Sequence, residues 1–315
     1  MPLPCQGCAA AVYHRLVRII IAGGTGLLGT ALVRDLTRDG VAVTVLTRRP
    51  RQPQQVRWDP YGSAASEWAH TLDGADAVVS LVGASINKRW TAAYKRELWD
   101  SRVRATRTLV AAMKSVRRVP PVFVSGSAVG IYGDRGDEPV TEQTPLGSDF
   151  LASLAAQWEN EALAARPAAR VVVVRSGIVL DRDAGALPRM ALPFRLFAGG
   201  RLGSGRQYIS WIHRNDWTGM VRWALANDAV TGPVNTTAPN PVTNLQFAQT
   251  LGRVLRRPAI VPAPASALRL ALGEMADVVL GGQRVLPAKA QSLEFAFQYP
   301  ELERALRAIY ARGEP

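Results

Sequence analysis

Three glycines carry the first chemical signal in this 315-residue chain. They stand at 23, 26 and 29 in Gly23-Gly24-Thr25-Gly26-Leu27-Leu28-Gly29, directly after the β-branched run Arg18-Ile19-Ile20-Ile21-Ala22. Each has a task in a loop that holds a dinucleotide. The first permits a tight turn out of a strand, the second lets backbone approach a pyrophosphate, and the third lets helix and strand pack closely. The phosphates then meet free N–H groups at the positive end of the helix, with Thr25, Leu27 and Leu28 completing the cradle. A second signal lies at Leu46-Thr47-Arg48-Arg49, where an NAD site ordinarily places a carboxylate about twenty residues on. A carboxylate would repel a 2′-phosphate, whereas a guanidinium grips it through charge-assisted bonds. The spacing predicts NADP(H) over NAD(H), with Arg48 as the leading contact and Arg49 or Arg51 in reserve.

The elements that must position these residues show in the hydrophobic pattern. A strand at 18–22, a helix at 27–39 closed by Gly40, and a strand at 41–46 form a βαβ unit, whose strands are parallel. Apolar strands at 77–82, 121–125 and 170–175, separated by helices at 91–113 and 150–165, extend it. The expected fold is α/β, a Rossmann-type doubly wound parallel sheet covered on both faces. From about residue 185 the pattern loosens into Gly- and Pro-rich loops with helices at 217–226 and 245–255. This part is expected over the C-terminal edge of the sheet, closing a substrate cleft. Pro258, Pro262 and Pro264 mark a linker. The expected organisation is an extension at 1–17, an NADP-binding domain at 18–257 with its substrate lobe mainly at 185–257, and a small helical domain at 258–315.

Thirty-eight basic residues against 25 acidic give a net charge of +13. Only Lys88, Lys95, Lys114 and Lys289 are lysines, and the arginines are scattered without a run or tail. A nucleic-acid face needs clustered charge, so the balance points instead to an acidic small ligand. No apolar run reaches the roughly 18 residues that cross a bilayer, and residues 1–17 lack the basic start and apolar stretch of a secretory signal. Two cysteines cannot build a disulfide framework, which makes the cytoplasm the expected location. Cys5 and Cys8 form a CxxC with only His14 nearby, an incidental spacing rather than a metal site. The sequence leaves the oligomeric state open.

The alternation, the GxxGxxG loop and Ser125-Gly126-Ser127 resemble the extended short-chain dehydrogenase/reductase superfamily. Its members typically use a Tyr and a Lys four residues later, the Lys lowering the phenol pKa and the Tyr transferring a proton. None of the seven tyrosines here has that Lys. Phe150 and Leu154 stand where the pair would be, and neither can carry a proton. The stretches Ser127-Ala128-Val129-Gly130-Ile131-Tyr132-Gly133, Phe150-Leu151-Ala152, Trp158-Glu159 and Arg175-Ser176-Gly177-Ile178-Val179-Leu180 are similar to the branch labelled "epimerase family protein". So are Gly203-Ser204-Gly205-Arg206-Gln207, Ser210-Trp211-Ile212-His213 and the tail motifs Gly273-Glu274-Met275-Ala276, Gln283-Arg284-Val285-Leu286-Pro287 and Phe295-Ala296-Phe297. The resemblance spans about 18–310 and includes a short C-terminal domain of unknown function. It implies NADP(H) held by the Gly23–Gly29 loop, Thr47 and Arg48. It adds Leu81, Val82 and Gly83 after the third strand, Glu97 and Arg102 on the next helix, and Val179. Ile131 departs from the pattern, since relatives often have a second Tyr there.

Few groups remain for the chemistry. Ser127 is expected at the mouth of the sheet, either orienting a substrate oxygen or capping structure. Tyr132 is the one phenol left near the expected reaction centre, and Glu142 is a loop carboxylate beside the cleft. Arg206 and Gln207 are candidates for holding an anionic or sugar-like ligand. His213, in Trp211-Ile212-His213-Arg214-Asn215-Asp216, reads as part of a packing and capping device in which Asp216 caps the following helix, with substrate binding as the other reading. The expected function is an NADP(H)-binding oxidoreductase or epimerase-like enzyme for a small polar substrate. The alternative is a non-catalytic protein that responds to NADP(H).

Overall fold

The computed structural model describes residues 17–63 and 67–311. The Cys5–Cys8 pair therefore lies outside the described residues. Seven strands form the central sheet: β1 (Arg18–Ala22), β2 (Ala42–Thr47), β3 (Gln55–Arg57), β4 (Ala77–Ser80), β5 (Val122–Ala128), β6 (Arg170–Ser176) and β7 (Gly232–Thr236). Their order is β3-β2-β1-β4-β5-β6-β7, and every pairing is parallel. The register sets Ile20 beside Thr44 on one side and Val78 on the other. The chain reverses its direction of winding between β1 and β4, so a crevice opens at their carboxyl ends.

Helices cover both faces. Ile19 and Ile21 of β1 pack with α1 (Leu27–Arg38) and α6 (Arg214–Ala226). Ile20 and Val78 face Leu109 and Met113 of α3 (Ala105–Ser115). Each such fully buried aliphatic side chain contributes about 1.5–3 kcal/mol. The helix expected at 91–113 is α2 (Ala92–Trp99) and α3 joined by a π-helical turn, Asp100–Arg104. A single wide turn of this kind often accompanies a functional site. α4 (Phe150–Leu163) begins at Asp149, whose side chain accepts from the Ala152 N–H.

The remaining helices are α5 (Leu187–Arg195), α7 (Asn244–Leu255), α8 (Ala265–Leu272), α9 (Ala276–Leu280), α10 (Ala288–Ser292) and α11 (Leu302–Tyr310). Leu302, Ala305 and Leu306 of α11 share a core with Phe247 and Leu251 of α7. Arg284–Val285 pairs in parallel with Pro139–Val140, so the tail returns to the body of the molecule. β7 was not expected from the sequence. Its Gly-Pro-Val-Asn-Thr composition hides it, and Pro233 is tolerated because β7 is an edge strand.

Candidate functional site

The glycine loop leaves β1 where the crevice opens. Gly23 has φ +82°, and a Cβ there would lie 2.7 Å from the Leu81 carbonyl oxygen, so two independent constraints demand glycine. A Cβ on Gly29 would lie 2.2 Å from the Gly23 oxygen. Gly26 is less confined, with its nearest neighbour at 3.4 Å. It is the N-cap of α1, and no side chain caps that terminus. The first turn has no acidic residue. The positive end of α1 is thus left to a ligand's anion.

Some residues of the expected cofactor site adjoin this loop, and others stand farther along the sheet edge. A Cβ on Gly185 would meet Leu27 at 3.1 Å and the Val179 oxygen at 3.6 Å. The turn after Val179 therefore folds over the start of α1. Leu81 and Val82 follow β4, with Leu81 N–H bonded to the Ala22 oxygen. Arg102, on the π-helical turn, lies under Gly83, donating from Nη2 to the Ala84 oxygen (2.9 Å) and from Nη1 to the Leu98 oxygen (3.3 Å). Burial lowers its pKa to about 10, partly opposed by Tyr94. Among the described residues no carboxylate pairs with it. Thr47 ends β2, and Arg48 and Glu97 are exposed. Both act electrostatically on Tyr61, whose phenol pKa is raised by burial and by Asp100 and Glu97 against the opposing pull of Arg48. Arg104 lies 5.3 Å from the centre of the Tyr61 ring. The sequence reading overlooked Tyr61, although a lone aromatic ring in a polar loop is a usable signal.

Ser127 and Tyr132 belong to one buried network. Ser127 Oγ donates to Glu159 Oε1 at 2.7 Å. Arg175 grips that carboxylate with two bonds of 2.8 Å, Nε to Oε1 and Nη2 to Oε2. Its Nη1 donates to the Tyr132 hydroxyl at 2.8 Å, and Tyr132 donates to Asn235 Oδ1 at 2.7 Å. Burial opposes the charge on Arg175, but Glu159 more than offsets it and holds the guanidinium protonated. Burial likewise raises the Tyr132 pKa. The expectation of Tyr132 as a proton donor to substrate is corrected by this geometry: the side chain is fully buried and its proton is committed to Asn235. Ser127 lies at the C-terminal end of β5 and is buried.

Three further expectations are corrected. Glu142 is no solvated loop carboxylate: it accepts from the backbone N–H groups of Asn235 (3.0 Å) and Lys289 (3.3 Å), tying β7 to the tail. Gln207 is buried and its Nε2 donates to the oxygens of Leu202 and Val279, so it braces the tail; Arg206 beside it is exposed. His213, not Asp216, caps α6: its Nδ1 accepts from Asn215 N–H at 3.1 Å. The ring stacks on Tyr299 at 3.9 Å. Burial and Arg214 lower its pKa to about 4, so it is neutral near pH 7. Asp216 instead accepts from the N–H groups of Gln298 and Tyr299, and burial raises its pKa.

Phe150 and Leu154 lie in an apolar cluster with Tyr94, Leu98 and Trp158, edged by Ile86, Trp90 and Trp99. Among the described residues there is no group of three or more His, Cys, Asp or Glu that could hold a metal, and no helix long and apolar enough to cross a membrane.

The sheet order and the glycine cradle at its switch point define a Rossmann-type α/β protein. The chain belongs to the NAD dependent epimerase/dehydratase family, whose model matches residues 19–235, and a domain of unknown function, DUF1731, matches residues 263–309. It is 42% identical to "Epimerase family protein SDR39U1 homolog, chloroplastic" of Arabidopsis thaliana, over 92% of this chain and 86% of that protein. It is 40% identical to "Epimerase family protein YfhF" of Bacillus subtilis, over 94% and 98%. Among solved structures it is similar to human epimerase family protein SDR39U1 (isoform 2) with NADPH, with a TM-score of 0.86 and 36% identity over 93% of this chain and 99% of that one. UDP-glucuronic acid 4-epimerase from Bacillus cereus shares the fold alone, at 14% identity and a TM-score of 0.74, covering 93% of this chain and 98% of that one.

Proposed function

We propose that this protein binds NADP(H) and is an oxidoreductase or epimerase-like enzyme acting on a small polar substrate. The carrying observation is the cradle at Gly23 and Gly29, where any side chain would collide with backbone. The human relative's structure with NADPH supports the phosphorylated form of the cofactor. Arg48 would meet the 2′-phosphate, the Gly26 terminus of α1 the pyrophosphate, and Val179 the nicotinamide side. When bound, the nicotinamide supplies the hydride acceptor or donor.

The chain's own part is the proton. Because Ser127 gives its hydrogen to Glu159, its oxygen offers lone pairs to the crevice. In the oxidative direction it accepts the proton of a substrate hydroxyl while its own proton moves to the Glu159 carboxylate; reduction reverses both transfers. A second reading, a non-catalytic protein that responds to NADP(H), is favoured by the apolar packing of Phe150 and Leu154.

Titration of nucleotide-free protein with NADPH and NADH, read by fluorescence, tests the binding claim. Saturation by NADPH at lower concentration than NADH is expected, and no uptake of either would overturn it. Addition of carbonyl and nucleotide-sugar compounds to the NADPH complex separates the two readings. Oxidation that Ser127→Ala abolishes supports the enzyme; oxidation that Ser127→Ala leaves intact removes the proton route.

A further inference from the structure

Beside the apolar cluster that holds Phe150 and Leu154, two lysines lie on aromatic rings. Lys88 Nζ lies 5.0 Å from the centre of the Tyr94 ring, and Lys95 Nζ lies 5.0 Å from that of Phe150. Phe150 meets Trp90 edge-on at 5.5 Å. Arg189 of α5 reaches across to the Asn87 oxygen, and a Cβ on Gly273 would lie 3.7 Å from Arg89 Nε. Two lysines thus lie on the rings of one aromatic wall, and Arg89 and Arg189 stand on the segments beside it. Among the described residues, the one carboxylate paired with any of them is Glu274, which bonds Lys95 from the 3-10 turn Gly273–Met275 of the C-terminal segment. The Lys95 side chain is 28% exposed and Glu274 60%, so the carboxylate arrives from the solvent side.

We propose that this rim is a subsite for an organic anion, a phosphate or carboxylate carried on a planar apolar body, and that Glu274 occupies it until such a ligand arrives. The inference rests on the reading of the crevice as a substrate site and names the substrate class. The rings take the body of the ligand, and the ammonium and guanidinium groups take its charge. A neutral polyol would offer these cations no counter-charge. Glu274 offers the same carboxylate chemistry from within the chain, so it competes with the ligand and couples the tail to occupancy of the crevice. The +13 charge of the chain fits an acidic substrate drawn to such a rim.

The test uses the full-length protein, with and without NADPH, titrated calorimetrically with phenyl phosphate, benzoate and neutral benzyl alcohol. Both anions are expected to bind and benzyl alcohol not to. Glu274→Gln should tighten the anions about three- to tenfold, and Lys95→Gln should weaken them about tenfold or more, the change expected from one charge-assisted contact. Melting temperatures report folding, since both side chains lie at the surface. Equal affinities for anions and alcohol, or no change in either variant, would overturn the proposal. NADPH uptake is read in the same titrations. Its absence with anion binding intact defeats the cofactor reading alone; its presence without anion binding defeats the subsite alone.

Discussion

Replacing Glu159 with Gln removes one charge from the most buried ion pair in the described residues and leaves its shape nearly unchanged. Glu159 and Arg175 are each about 5% exposed, so water screens neither. The amide of Gln can still accept one bond, but its NH2 group must face either Arg175 Nη2 or the pair formed by Arg175 Nε and Ser127 Oγ, all of which now donate. Leaving a buried guanidinium without its counter-charge costs about 3–5 kcal/mol. For a chain of this length that corresponds to a fall in melting temperature of roughly 5–8 °C. Calorimetry and urea denaturation at pH 7 measure it. Ser127→Ala should cost only about 1 kcal/mol, because the bidentate pair survives. Combining Glu159→Gln with Arg175→Met should cost less than the sum of the two single changes, since neither charge is then left alone. A loss below 1 kcal/mol for Glu159→Gln, or strict additivity in the double variant, would refute the network as drawn.

Other outcomes follow from the same geometry. Arg48→Asp should shift the ratio of NADPH to NADH affinity about 10- to 100-fold toward NADH, the equivalent of one charge-assisted bond of about 1.5–3 kcal/mol; an unchanged ratio removes Arg48 from the site. Gly29→Ala sets a methyl 2.2 Å from the Gly23 oxygen, so it should cost about 1–3 kcal/mol of stability and weaken NADPH about tenfold or more, both read by titration and melting. The folded pKa of His213, about 4, lies below its unfolded value of about 6.5. The unfolded chain therefore takes up the proton first as pH falls. His213 contributes its full share above pH 6.5 and loses it progressively toward pH 4, on the order of 3 kcal/mol in all. His213→Asn keeps a capping side chain and should flatten that slope in urea melts at pH 7, 5.5 and 4.5; an unaltered slope sinks the assignment.

Much of the scaffold was legible because buried parallel strands are written as continuous apolar runs. Ile19–Ile21 and Val171–Val174 could hardly be anything else. β3 and β7 escaped because edge strands bury less and tolerate polar residues, glycine and proline. α6 begins at Arg214, three residues earlier than expected, because the cap was assigned to Asp216 rather than His213. The glycine cradle was legible for a different reason: its spacing is local, and Gly26 and Gly29 answer to backbone of the same loop. The Ser127 network was not. Its members lie 16 to 103 residues apart in sequence. One clue was present in Ala152, Ala155 and Glu159. At spacings of three and four they share one face of α4, so a charged residue falls on a stripe that is otherwise buried. A carboxylate in that position needs a cation, and Arg175, closing a run of four valines, was the matching anomaly.

On the proposed reading, a missing Tyr-Lys pair does not leave the crevice without charged groups. A lysine beside a phenol works by placing a charge near the reacting proton. In this chain the charged groups stand elsewhere. One pair is sealed beneath Ser127, where Arg175 grips the Glu159 carboxylate that accepts the serine hydroxyl. The other set stands at the rim, held over Tyr94 and Phe150. Leu154, 3% exposed, could not be restored to Lys without burying an ammonium in the cluster of Tyr94, Leu98 and Trp158. Phe150→Tyr combined with Leu154→Lys should therefore destabilise the protein and raise no turnover above that of the unaltered chain. A stably folded double variant with higher turnover than the unaltered chain would show that the apolar wall is incidental and that the rim has no special claim on the substrate.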